Sequence, residues 1–78
     1  MNQCIVNIVG HMIFIAFNQI VESGFVEIWQ KGNKISPMIR NTFTQTNFIN
    51  MDIPPVKGKY RIEIEMDGQH ITKAITIN

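Results

Sequence analysis

The clearest alternation of apolar and polar positions lies near the end of the chain. Tyr60, Ile62, Ile64 and Met66 alternate with Lys59, Arg61, Glu63 and Glu65, as in a strand with one face against a core and one in water. Asp67-Gly68 follows, the preferred pair for a two-residue type I′ turn. That turn predicts a register: with Met66 opposite Gln69, Ile64 meets Ile71, Tyr60 meets Ile75 and Glu65 meets His70. Ile62 opposite Lys73 is the one mismatched pair. Residues 59–66 and 69–77 therefore read as a hairpin.

Five further extended segments are predicted. Residues 4–9 and 11–17 are apolar on both faces, as in strands covered on each side, and Gly10-His11 joins them. In 25–31, Val26 and Ile28 point one way while Phe25, Glu27 and Trp29 point the other. Lys31-Gly32-Asn33-Lys34 supplies a turn. A weaker strand falls within 35–44, where Pro37 suits an edge or a break. In 47–53, Ile49, Met51 and Ile53 share a face, and Pro54-Pro55 ends the segment. The five glycines are read as standing singly at turns. No segment carries a capped helical period. Residues 1–78 thus read as one all-β domain, an immunoglobulin-like β-sandwich of about seven short antiparallel strands.

Composition sharpens this picture. A chain of 78 residues hides only ~60–65% of its unfolded surface, so one modest core carries its stability. Isoleucine is common and alanine rare, a bias toward strands because β-branched side chains pack well on a pleated surface. A net charge of +1 indicates no polyanionic partner, and Glu63 and Glu65 interrupt the short basic run of Lys57, Lys59 and Arg61. Nucleic acid is therefore not an expected partner. The apolar run 4–17 is shorter than the ~18–20 residues of a membrane helix and is interrupted by Asn7, Gly10 and His11. It also lacks the basic start of a signal peptide, since the first Lys or Arg is Lys31.

The order Ile5-Val6-Asn7-Ile8-Val9-Gly10, Ile13-Phe14-Ile15-Ala16-Phe17, Val26-Glu27-Ile28, Gly58-Lys59-Tyr60-Arg61-Ile62-Glu63-Ile64 and Ile75-Thr76-Ile77 resembles a family of small immunoglobulin-like domains of unknown function from Bacteroides-type bacteria. It is similar, more distantly, to sandwich modules at the C-termini of proteins those bacteria secrete. Gly58-Lys59-Tyr60 is the most specific piece: in such sandwiches a Gly-x-Tyr opens the penultimate strand and the Tyr anchors the corner. The resemblance implies a secreted, periplasmic or cell-surface setting, and it implies no reaction.

Side chains that carry chemistry are scattered. Cys4 is a single cysteine without a disulfide partner, and it reads as buried and inert, with no cation beside it to favour a thiolate. His11 reads as a strand-edge residue, and His70 opposite Glu65 as a cross-strand surface pair with no nucleophile in register. Glu63 and Glu65 share a flat wet face beside Arg61, whereas glycosidase carboxylates flank a cleft. Asp52, Asp67, His11 and His70 lack metal-ligand spacing, and no glycine-rich phosphate loop occurs. Trp29 with Phe25, beside Glu27, forms either a carbohydrate platform or half of a two-sided core, and the core reading is preferred; Phe43 and Phe48 are read in the same way. No catalytic, cofactor-binding or metal residues are assigned.

The expected function is an exported, non-enzymatic binding or assembly module for a protein or glycan partner. The alternative is a structural, secretion-targeting or spacer domain of a longer protein. A homodimer through an edge strand is expected, because the first two segments carry no Lys, Arg, Asp or Glu to discourage pairing. A leading strand is also expected to be missing, since the sequence starts almost directly in the apolar run at Cys4 and falls short of the ~100 residues usual for such sandwiches.

Overall fold

The structure, a computed structural model, describes residues 3–78. The described chain is all-β and holds five antiparallel strands: β1 (Cys4–Val9), β2 (Met12–Gln30), β3 (Ile39–Asp52), β4 (Gly58–Met66) and β5 (Gln69–Ile77). They form one sheet in the order β1-β2-β4-β5, with β3 on the other side of β2. The first part of β2 pairs with β1 and its last part with β4, so the sheet curls into a half-barrel around a single core.

Five strands replace the expected seven because two predicted breaks are bends. Residues 11–17 and 25–31 belong to one 19-residue strand, and the segments placed in 35–44 and 47–53 belong to β3. Between Ala16 and Val21 the register shifts: β2 advances five positions while β3 moves two, from Phe48 to Thr46. Extra residues on one strand of a pair bend it and increase its twist. Gln45, at φ 47°, supplies the matching distortion in β3. Buried positions in β2 are odd-numbered through Ile13, Ile15, Phe17 and Val21 and even-numbered at Val26 and Ile28, so the phase changes just after the register shift, beside the Gln45 distortion. Polar residues in 18–23 resemble a loop in the sequence, yet the strand continues through them.

Gly24 also departs from expectation, since it lies within β2 and not at a turn. A Cβ there would fall 2.0 Å from the Glu65 carbonyl oxygen and 2.8 Å from Phe43 Cζ. Phe43 in turn packs with Phe17, their ring centres 5.3 Å apart. The absence of a side chain at Gly24 therefore lets the β4 backbone pass close beside β2 next to the bend.

The β4–β5 hairpin follows the predicted register at every pair, including Glu65 with His70 and Ile62 with Lys73. Asp67 and Gly68 have φ of 49° and 85°, the positive values a type I′ turn requires. The Asp67 carboxylate accepts the backbone N–H groups of Glu22 and Ser23 at 3.0 to 3.2 Å, and the Asp67 N–H donates to the Ser23 carbonyl at 3.1 Å. One turn residue thus ties the hairpin to the bend of β2.

The core joins both ends of the curl: Cys4 from β1, Ile13, Ile15, Phe17, Val21, Val26 and Ile28 from β2, Met51 from β3, and Tyr60, Ile62, Ile64 and Met66 from β4. Tyr60 is buried near the start of the penultimate strand, and its hydroxyl donates to the Val56 carbonyl four residues upstream. Among the described residues, the covering expected over both faces of residues 4–17 is not present. Ile5 and Val9, on the outer face of β1, are 65% and 63% exposed.

Candidate functional site

Two surfaces carry the groups singled out by the sequence, and they differ in character. The first is the outer face of the last part of β2 with β4 and β5. Strand alternation sets Phe25, Glu27 and Trp29 beside Arg61, Glu63 and Glu65, and β5 adds His70 and Thr72. Arg40 of β3 pairs with Glu27 at 2.5 Å, and its guanidinium lies 4.3 Å from the Phe25 ring centre. Arg61 Nε lies 2.5 Å from Glu63 Oε2, and its guanidinium lies 5.1 Å from the Trp29 ring centre. Trp29 Nε1 donates to Glu27 at 3.2 Å.

Trp29 and Phe25 are thus half-buried and outside the core, contrary to the preferred core reading. Each ring has a guanidinium over it, so neither offers the bare face on which a sugar stacks. Phe43 packs against the core, whereas Phe48 is half exposed beside Phe14. The face is also less wet than its pattern implied: the Glu63 side chain is only 13% exposed.

His70 sits between two carboxylates, Nε2 at 2.5 Å from Glu63 Oε1 and Nδ1 at 2.8 Å from Glu65 Oε2. Thr72 Oγ1 donates to the same Glu63 oxygen at 2.6 Å. Only the doubly protonated imidazolium donates from both nitrogens, so this geometry favours the charged ring. Hydrogen bonds to Glu63 and then Glu65 raise the His70 pKa, against a small opposing effect of burial. For Glu63 burial alone would raise the pKa; the hydrogen bonds from Thr72 and His70 and the nearby charges of Arg61 and His70 outweigh it and lower it.

These shifts set a pH window. A raised His70 pKa gives stabilisation that is complete below the ordinary value of 6.5 and lost as pH rises through the folded value. A lowered Glu63 pKa gives stabilisation present above its ordinary 4.5 and lost as pH falls through the folded value. The cluster therefore contributes most between 4.5 and 6.5. Thermal melts from pH 5 to 9 are expected to show the wild type losing stability on the alkaline side of that window. His70→Gln should be flatter there, and superimposable profiles would contradict the ion-pair assignment.

The second surface is the free edge of β1. Gln3 accepts the Asn18 N–H at 3.1 Å, and Cys4 pairs with Phe17, so the odd-numbered residues of β1 bond to β2. The backbone groups of Cys4, Val6 and Ile8 therefore point away from the sheet. Cys4 is buried on the inner face, and burial raises its thiol pKa. The expectation that no cation lies near it is corrected: Lys73, from inward-facing β5, opposes the shift without overcoming it. His11 lies in the turn at the far end of β1, roughly 20 Å along the strand, so the two do not form a dyad.

The other edges are guarded. Lys73 points a half-buried charge inward from β5, a device that discourages strand addition. The β3 edge is broken by Gln45 and bears Arg40 and Asp52. Among the described residues, no three His, Cys, Asp or Glu side chains are grouped to hold a metal ion, and no helix is long and apolar enough to cross a membrane. No protein-family model matches the chain, and no curated protein matches it.

Proposed function

We propose that the chain is a non-enzymatic binding and assembly module that accepts an extended strand along the free edge of β1. The carrying observation is the contrast between edges: Cys4, Val6 and Ile8 offer backbone groups unpaired among the described residues, on an uncharged strand, while β3 and β5 are guarded. Main-chain hydrogen bonds supply affinity in such strand addition, and alternate side chains supply selectivity. An immunoglobulin-like origin and an exported setting belong to the same proposal. Their support is the resemblance together with the corner formed by Tyr60 and Val56.

Hydrogen exchange provides the test, with a hexapeptide of alternating threonine and valine as a generic strand probe. At dilutions where the chain is monomeric, the peptide is expected to slow exchange of the Cys4, Val6 and Ile8 amides selectively. Unchanged exchange at those amides at saturating peptide would refute strand addition at β1.

A further inference from the structure

The occupant of the β1 edge follows from its symmetry. Resting on the strand-accepting role proposed above, we infer that the partner is a second copy of this chain, paired β1 to β1 in antiparallel fashion about a two-fold axis through Val6. In an antiparallel pair, residues directly opposite share a face, so a symmetric pairing places either Val6 opposite Val6 or Asn7 opposite Asn7 near the centre.

The outward groups choose between these registers. They belong to Cys4, Val6 and Ile8, as the bond from Asn18 to Gln3 establishes. With Val6 at the axis, Cys4 faces Ile8 of the second copy, Val6 faces Val6, and Ile8 faces Cys4. Every outward N–H and C=O of β1 then falls in a hydrogen-bonded pair. With Asn7 at the axis, Val6 and Ile8 face each other, and Cys4 is carried beyond the end of the opposing strand.

Side chains agree with the first register. It matches Cys4, Val6 and Ile8 on the inner face, and Ile5 with Asn7 on the outer face, without a charged group in any pair. A net charge of +1 leaves little repulsion between copies. Two six-residue strands bury well below the ~1,200 Å² lower bound of stable interfaces, so the pairing is weak and is best trapped covalently.

Cysteine cross-linking with diamide as the oxidant reads the register. Both variants are made with Cys4→Ser, one adding Val6→Cys and the other Asn7→Cys. Opposed hydrogen-bonded residues have Cα atoms ~5.5 Å apart, within disulfide range, whereas residues diagonal across the pair are ~7–8 Å apart. The position-6 variant is expected to give a covalent dimer on a non-reducing gel, and the position-7 variant to remain monomeric. Dimer from position 7 alone would overturn the register. Light scattering of the unmodified chain across a concentration series separates the remaining outcomes. Self-association with neither cross-link would place the contact elsewhere and overturn the inference. A monomer at every concentration would also overturn it, and the strand-accepting role would then stand or fall on the peptide experiment.

Discussion

Gly24→Ala is expected to destabilise the fold by about 3 kcal/mol or more, at the upper end of the range for overpacking substitutions. The obstacle to a methyl group there is backbone: the Glu65 carbonyl oxygen would lie 2.0 Å from it. A flexible side chain can swing away, but this oxygen belongs to β4, whose Glu65 is paired to Phe25 on one side and His70 on the other. Relief requires β4 to move off β2, which opens the core at Ile62 and Ile64. Chemical denaturation of the variant measures the cost. A midpoint within error of the wild type would mean that β4 does not approach β2 as described.

Asp67→Ala is expected to cost about 2–3 kcal/mol, because two separate contributions disappear together. The carboxylate acceptors of the Glu22 and Ser23 N–H groups are lost, and hydrogen bonds to a charged group contribute ~1.5–3 kcal/mol. Alanine also tolerates the φ of 49° less well than aspartate does. Asp67→Asn separates the two, since asparagine suits the turn and keeps one oxygen acceptor. It should recover a large part of the loss, whereas equal destabilisation by both substitutions would assign the whole effect to charge.

The same residue shows how far sequence reasoning reaches in this chain. Asp67-Gly68 defined a local turn, and strict alternation on either side defined the register, because both signals concern residues adjacent in sequence. Asp67 as a clamp on Glu22 and Ser23 was not legible, since that contact spans more than forty positions. The bend of β2 is hidden in the sequence for a related reason. Polar residues in 18–23 interrupt the apolar pattern in the same way as a loop, and partners distant in sequence hold them in the strand: Gln3 at Asn18, β3 from Val21 on, and Asp67 at Glu22 and Ser23. A lone glycine within an extended run can mark close backbone approach, and Gly24 carried that signal.

On the surface, Glu65 with His70 followed from register. The second carboxylate on His70, from Glu63, did not, because it depends on how the ring is turned. The guanidiniums over Trp29 and Phe25 were likewise invisible, since Arg40 and Phe25 meet only once β3 lies beside β2. The bare edge of β1 was partly legible from the absence of charge in 4–17. That its outward groups belong to Cys4, Val6 and Ile8 required the pairing with β2.

The double allegiance of β2 also bears on how the chain reaches this form. The β1–β2 and β4–β5 hairpins each close through two-residue turns, and such events take ~1–10 µs. Joining β2 to β4 instead brings together Val26 and Ile64, across the whole of β3. Local pairing of β2 with β3 from Ile28 and Ile39 shortens that loop, and the docking of β4 carries the entropic cost that is left. Folding speed is therefore set where Val26 and Ile28 meet Ile62 and Ile64, and until that docking occurs Tyr60, Ile62, Ile64 and Met66 of β4 stay apart from the rest of the core.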